Sequence, residues 1–169
     1  MNGVTIPPEQ GFPLRILSPG FYGVKQPARV VALEVTGQPL SDYWGDLGWD
    51  VSAPMAADSR IFFPSSGATV TAGETLNVGG AAYGGTRIAK VEVTADSGST
   101  WADAEIVKSL DLDNVWVFWH ARIVPTQPGE IVINARAIDI HGSVQPAADS
   151  NSLDGSNGWP FVTVSVIGK

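Results

Sequence analysis

The chain has 169 residues, enough for one ordinary domain or for a domain plus a fragment. It contains no cysteine, which excludes disulfides, Cys-ligated zinc, iron–sulfur clusters and thiol nucleophiles. Its formal net charge of -7 comes without any cluster of Lys and Arg, which argues against nucleic acid and against an anionic membrane surface as partners.

No apolar run reaches the ~18 residues of a transmembrane helix. The opening MNGVTIPPEQ lacks the basic start and apolar stretch of a signal peptide, so an export signal, if one exists, lies outside this chain. The 19 Gly and 12 Pro are spread throughout, a punctuation that breaks helices and favours short strands joined by turns. PLRILS (13–18) predicts a strand stopped by Pro19-Gly20. ARVVALEVT (28–36) predicts a second, with Val31, Leu33 and Val35 on one side. Residues 37–59 show no lasting period and predict a long surface connection pinned by Tyr43, Trp44 and Trp49.

From Ser59 the pattern becomes regular. RIFFP is a strand closed by Pro64, SSG a turn, and ETLNVGGAAY a strand loosened by Gly79-Gly80. TRIAKVEVTAD alternates, with Ala89, Val91 and Val93 opposite Lys90, Glu92 and Thr94. DSGSTW turns the chain. WADAEIVKSL is ambiguous: Trp101, Ala104 and Lys108 fit a helical turn, while Ile106-Val107 favours strand. VWVFWHARIV is the strongest strand, apolar on both faces. EIVINARAID follows Pro128-Gly129, and PFVTVSVIG closes the chain with Val162, Val164 and Val166 on one face. About seven short strands at this spacing predict an all-β fold, an immunoglobulin-like β-sandwich. No internal repeat is visible.

Catalytic groups are scarce. His120 lies within a strand and is expected at a sheet face or interface. Asp139, His141 and Ser143 alternate at one strand end, but a triad depends on three-dimensional geometry rather than on this spacing. The acids of LDLDN and DSNSLDG offer oxygen ligands, yet the second misses the EF-hand spacing, and the plain reading of both is a solvated loop. GGAAYGG lacks the spacing of a phosphate loop and points instead to close backbone packing or a bulge. Trp101, Trp116, Trp119 and Trp159 are expected mostly in the core, with a subunit interface as the other place for a double-faced aromatic strand.

The order of these segments resembles one family. PPEQGFPLRILSPGFYG, LEVT and DYW are similar to the end of the molybdopterin domain of sulfite oxidase-type enzymes. FPSSGATVTAGETLNVGGAAYGG, KVEVTADSGSTW, ARAIDIHGSVQP and NSLDGSNGWPFVTVSV resemble that family's C-terminal dimerisation domain, an immunoglobulin-like sandwich of the E-set type. The resemblance implies three parts: residues 1–40 as a remnant strand pair of the molybdopterin-binding domain, 41–58 as a linker, and 59–169 as the dimerisation domain. It also implies that Met1 is an internal methionine and the chain a C-terminal fragment. Its partners would be a second copy or the missing upstream domain, and its compartment periplasmic if the parent is bacterial.

In the family the molybdenum is held by the pterin dithiolene and one cysteine. This cysteine-free chain is thus implied to hold no molybdenum–molybdopterin alone and to be inactive alone, although the full-length parent would carry the cofactor. The family grips the cofactor's phosphate with a His and an Arg. Arg15 matches the arginine, and a guanidinium suits phosphate by charge and fork geometry. Gln10 stands where the histidine would be. Gln26 and Ala28 fall on the family's following polar residue and lysine, with Lys25 or Arg29 as substitutes for the cation. The family's substrate-facing arginine has no Arg or Lys counterpart in DSNSLDGSNGW, which carries Asp149 and Asp154 instead. An acid there repels sulfite, so the resemblance implies another oxyanion, a sulfoxide-like or neutral substrate, or none. The alternative is a free-standing immunoglobulin-like structural or binding module, such as a subunit of a larger assembly; an independent hydrolase has little support.

Overall fold

The computed structural model describes residues 3–38, 40–108, 112–148, 155 and 158–169. Among them the strands are β1 (Asp58–Phe63), β2 (Ala68–Thr71), β3 (Leu76–Tyr83), β4 (Ile88–Thr94), β5 (Ala102–Asp103), β6 (Glu105–Lys108), β7 (Val117–Ile123), β8 (Gly129–Asp139) and β9 (Phe161–Ile167). They form a four-stranded sheet in the order β1-β3-β7-β6 and a five-stranded sheet in the order β2-β9-β8-β4-β5. The fold is an all-β immunoglobulin-like sandwich.

Period-two alternation decides what lies between the sheets. Val78 and Ala82 of β3 and Val117 and Trp119 of β7 face Val91 and Val93 of β4, Ile133 and Ala135 of β8, and Val162, Val164 and Val166 of β9. Each fully buried Val contributes on the order of 1.5–3 kcal/mol relative to exposure. Gly80 of β3 packs tightly against β1. A Cβ there would lie 1.8 Å from the carbonyl oxygen of Arg60, next to the bulge between Ile61 and Phe63.

Several expectations change. The described part of WADAEIVKSL holds two strands, Ala102–Asp103 and Glu105–Lys108, and no helical turn. Ala104 between them donates its N–H to the carbonyl of Val91, and the chain crosses from β5 in one sheet to β6 in the other. Ser109 and Leu110 lie outside the described residues. β2 pairs in parallel with β9 and went unseen, because four residues, ATVT, make too short a pattern. VWVFWHARIV is not apolar-buried on both faces: Val117 and Trp119 are buried, while Phe118 and Trp116 are half exposed. Of the six tryptophans, all described, only Trp119 is in the core.

The N-terminal pair is looser than a regular ladder. Ile16 N–H donates to the Pro27 carbonyl (3.1 Å), Val30 N–H to Leu14 (3.0 Å) and Arg29 N–H to Gly11 (3.3 Å). Pro13, Pro19 and Pro27 have no N–H to extend the pairing, and neither segment forms a strand. Val31, Leu33 and Val35 are exposed. The 37–59 connection holds one short helix, α1 (Tyr43–Asp46), capped by Asp42, whose carboxylate accepts from Gly45 N–H at 2.7 Å. Tyr43, Trp44 and Trp49 pack edge to face on one another, at centroid distances of 5.2 and 6.0 Å. Tyr43 and Trp44 stay exposed, so these rings brace the connection internally rather than fix it to the sandwich.

Candidate functional site

A 3-10 turn, Pro8–Gln10, starts the N-terminal segment, with Gly11 in the left-handed region at its end. Two of the expected anchors converge on the carbonyls of this turn. Arg15 Nη1 donates to the Gln10 carbonyl at 3.4 Å, and Arg29 Nε donates to the Pro8 carbonyl at 3.3 Å. Both side chains are exposed. A guanidinium has five N–H donors, so each keeps free donors beyond its carbonyl contact. A pair of cations on one turn suits a phosphate-type anion. Gln10 supplies a backbone carbonyl to Arg15.

Gln26 does not join them. Its Nε2 donates to the carbonyls of Phe21 (3.0 Å) and Ser18 (3.4 Å), which fixes the Pro19-Gly20 loop. With the amide donors spent, what remains is an acceptor oxygen, a poor match for a phosphate. Lys25 is also committed: it ion-pairs with Asp42 and holds that carboxyl below the usual carboxylate range, helped by the Gly45 N–H. Ala28 offers no polar group.

Backbone hydrogen bonds seat the loop that Gln26 braces on the sandwich. Tyr22 N–H donates to Ala53 (3.0 Å), Met55 N–H donates to Gly20 (2.8 Å), and Gly85 N–H, just past β3, donates to Met55 (2.8 Å). Gly20 and Gly85 must be small here, since a Cβ on Gly85 would lie 2.8 Å from the Gly20 carbonyl oxygen. Beside this seat lies a cleft of about 180 Å³ lined by Gly20, Phe21, Gln26, Met55, Asn114 and Trp116, among others. Trp116 stacks on Tyr83 at 4.4 Å. Burial and the Asp58 carboxylate push the Tyr83 phenol up. A Cβ on Gly155 would come within 2.7 Å of the Tyr22 ring.

Sequence reasoning missed what fastens this end of the sandwich. Gln145 is 1% exposed, and its Oε1 accepts from Ser59 Oγ (2.7 Å) and Ala137 N–H (3.1 Å). Its Nε2 donates to Asp58 Oδ1 (2.8 Å) and to the Gly158 carbonyl (3.2 Å). Asp58 and Ser59 open β1, so one amide ties the end of the linker to β8 and to the approach to β9. HGSVQP carried the only signal: a lone Gln between apolar neighbours and Pro, easily read as a surface turn.

The remaining candidates resolve otherwise. Asp139 accepts from His141 N–H and Ser143 N–H (both 2.9 Å) and from Thr86 Oγ1 (2.9 Å). It organises a turn and does not touch the His141 ring, so no triad forms. Burial works to raise its pKa, but these hydrogen bonds prevail and lower it. His120 lies on the outer sheet face, 3.6 Å from Glu105. Asp113 caps the Arg87 N–H at 2.9 Å. Asp111, Asp149 and Asp154, and so the acidic stretch in the expected substrate loop, lie outside the described residues. Among the described residues no three His, Asp or Glu side chains converge as a metal site.

The chain thus combines a two-sheet immunoglobulin-like sandwich with an N-terminal loop that carries two exposed cations. Residues 50–168 match the Mo-co oxidoreductase dimerisation domain, and residues 1–44 match the oxidoreductase molybdopterin binding domain. The chain belongs to the sulfite oxidase-type molybdopterin oxidoreductase family. It is 30% identical to mitochondrial sulfite oxidase of Rattus norvegicus over 99% of this chain and 35% of that protein. It is 31% identical to sulfite oxidase of Gallus gallus over 86% of this chain and 36% of that protein. Among solved structures, the sulfane dehydrogenase SoxCD of Paracoccus pantotrophus aligns with 28% identity and a TM-score of 0.46, over 62% of this chain and 26% of that one. The chain spans about a third of the length of the curated relatives it matches.

Proposed function

We propose that this chain pairs subunits and completes one wall of the cofactor pocket in a sulfite oxidase-like molybdenum-cofactor oxidoreductase, and that it is not catalytic alone. Residues 1–40 act as the end of the molybdopterin-binding domain, 41–58 as the linker and 59–169 as the dimerisation domain. The observation that carries this reading is the tandem of family matches, cofactor domain then dimerisation domain, on one chain.

The residues present fit part of the cofactor. Arg15 and Arg29, with free guanidinium donors on one turn, would hold its phosphate. Gln26 would serve at one remove, by holding the Pro19-Gly20 loop in place. The bound group supplies the redox chemistry. This chain's residues supply charge at the phosphate and a fixed position for the loop. An acidic rather than cationic substrate loop favours a substrate other than sulfite.

Metal analysis and light scattering on the isolated 169-residue chain test the reading. The expected result is a dimer without molybdenum. Stoichiometric molybdenum would refute the claim that the chain has no independent site, and a monomer at every concentration would refute the pairing role.

A further inference from the structure

A second cleft, of about 470 Å³, lies where three parts of the chain meet: the Pro19-Gly20 loop, residues 54–57, and the end of the sandwich around Gly85, Asp139 and Ser143. Its volume is in the range of small-molecule sites. Its walls are largely apolar, with Phe21, Pro54, Met55, Val144 and Pro146 among them. Among the described residues that line it, the polar side chains are Thr86, Asp139 and Ser143, and Asp139 alone carries a charge.

That charge is fixed in place but has no ionic partner. Burial works to raise the Asp139 pKa, yet the Ser143 N–H, the Thr86 hydroxyl and the His141 N–H outweigh it, so the carboxyl stays ionised. Oδ1 accepts both N–H groups, while Oδ2 accepts only the Thr86 hydroxyl. A carboxylate has about four lone-pair sites, so Oδ2 keeps one open. The His141 ring acts on Asp139 only through space. Asp42, Asp58, Glu92 and Asp103 each have a Lys or Arg partner; among the described residues Asp139 has none.

We infer that this cleft binds a small organic ammonium ion, with its N–H donors on Asp139 Oδ2 and the Ser143 hydroxyl and its apolar body against Phe21 and the prolines. The inference goes beyond the cofactor and pairing roles and does not rest on them. Charge selects the occupant. An anion meets a carboxylate and no lining cation. A neutral body would cover Asp139 and strip its water without pairing the charge, which is costly. The net charge of -7 draws cations toward the molecule as a whole. Pro19, Pro54 and Pro146 have no N–H to compete for the open site on Oδ2, and their fixed φ keeps the walls stiff. Loop and sandwich both contribute walls, so an occupant clasps the loop on its seat, and binding to the seated form stabilises that form.

The test titrates the 169-residue chain with 2-phenylethylammonium, 2-phenylethanol and phenylacetate, by calorimetry and by hydrogen exchange. The ammonium ion should bind at one site, at least ~10-fold tighter than the alcohol, as a charge-assisted hydrogen bond requires, and phenylacetate should not bind. Bound ammonium should slow exchange at the Met55 and Gly85 amides, which form the seat. Asp139→Asn should remove at least ~10-fold of the affinity, with circular dichroism confirming that the variant folds. The three-ligand series on the wild type decides the matter even if it does not. No saturable binding of the ammonium ion by ~10 mM, equal affinity for the alcohol, or preference for phenylacetate overturns the inference. So does binding that leaves the Met55 and Gly85 amides unprotected, or a dissociation constant that a folded D139N leaves unchanged.

Discussion

Gln145→Leu should be the most damaging near-isosteric change in the protein. Leucine fills a similar volume but removes both acceptor bonds and both donor bonds of the amide. Asp58 is partly compensated, because Oδ1 keeps the Ser59 N–H and Oδ2 keeps the Tyr83 hydroxyl. The loss falls on the Ser59 hydroxyl, the Ala137 N–H and the Gly158 carbonyl. At ~1 kcal/mol net per bond, more where a buried group is orphaned, and with ~1 kcal/mol returned by the apolar side chain, the expected cost is about 3 kcal/mol. That is a large share of the ~5–15 kcal/mol that holds such domains. Urea denaturation should show a midpoint lower by ~1–2 M, and thermal melting a Tm lower by ~6–12 °C. A loss below ~1 kcal/mol would refute the view that this amide fastens the linker to the sandwich.

Gly80→Ala should prevent folding of the β1–β3 pair, since the new methyl would overlap the Arg60 carbonyl oxygen at 1.8 Å; a soluble variant with a wild-type melting curve would contradict this. Arg136→Met removes a half-buried partner of the buried Glu92 and the cation over Trp101, and should cost about 2–3 kcal/mol, below the value for a fully buried pair because Lys90 remains; chemical denaturation measures it. Burial works to raise the Glu92 pKa, but the Lys90 and Arg136 hydrogen bonds outweigh it and lower the value. Asp96 is held at about 2, against 3.8 ordinarily, by the Thr100 hydroxyl and N–H and by the Thr94 hydroxyl. A depressed folded pKa means its contribution is complete above about 4 and disappears as the pH falls toward 2. The stability gap between wild type and Asp96→Asn should therefore shrink across that window, and a gap independent of pH would exclude the assignment.

The sandwich was legible because its core follows period two without exception in β9, where Val162, Val164 and Val166 point inward. The same rule misled at VWVFWHARIV. There the composition is apolar on both faces, but only Val117 and Trp119 meet the opposite sheet. Composition reports what a face can cover, not whether anything covers it. At Ile88–Lys90 a bulge shifts the alternation by one, so that Ile88 is buried and Ala89 exposed, which no residue pattern announces. Arg15 and Arg29 are fourteen positions apart, and only the extended pairing around Gly11 brings both onto the Pro8–Gln10 turn. Gln145 was invisible for the same reason: its partners at 58, 59 and 137 are assembled by topology, and a buried amide looks in sequence like any other polar residue.

The seat of the N-terminal loop consists of peptide groups from residues 20, 22, 53, 55 and 85. Its hydrogen bonds depend on amide hydrogens and carbonyls rather than on particular side-chain functional groups. Proline at 22, 55 or 85 would sever a rung outright, and any side chain at 85 would force the layers apart. The attachment thus sets the spacing between loop and β-sheets by peptide geometry, and it is backbone-altering substitutions that break it.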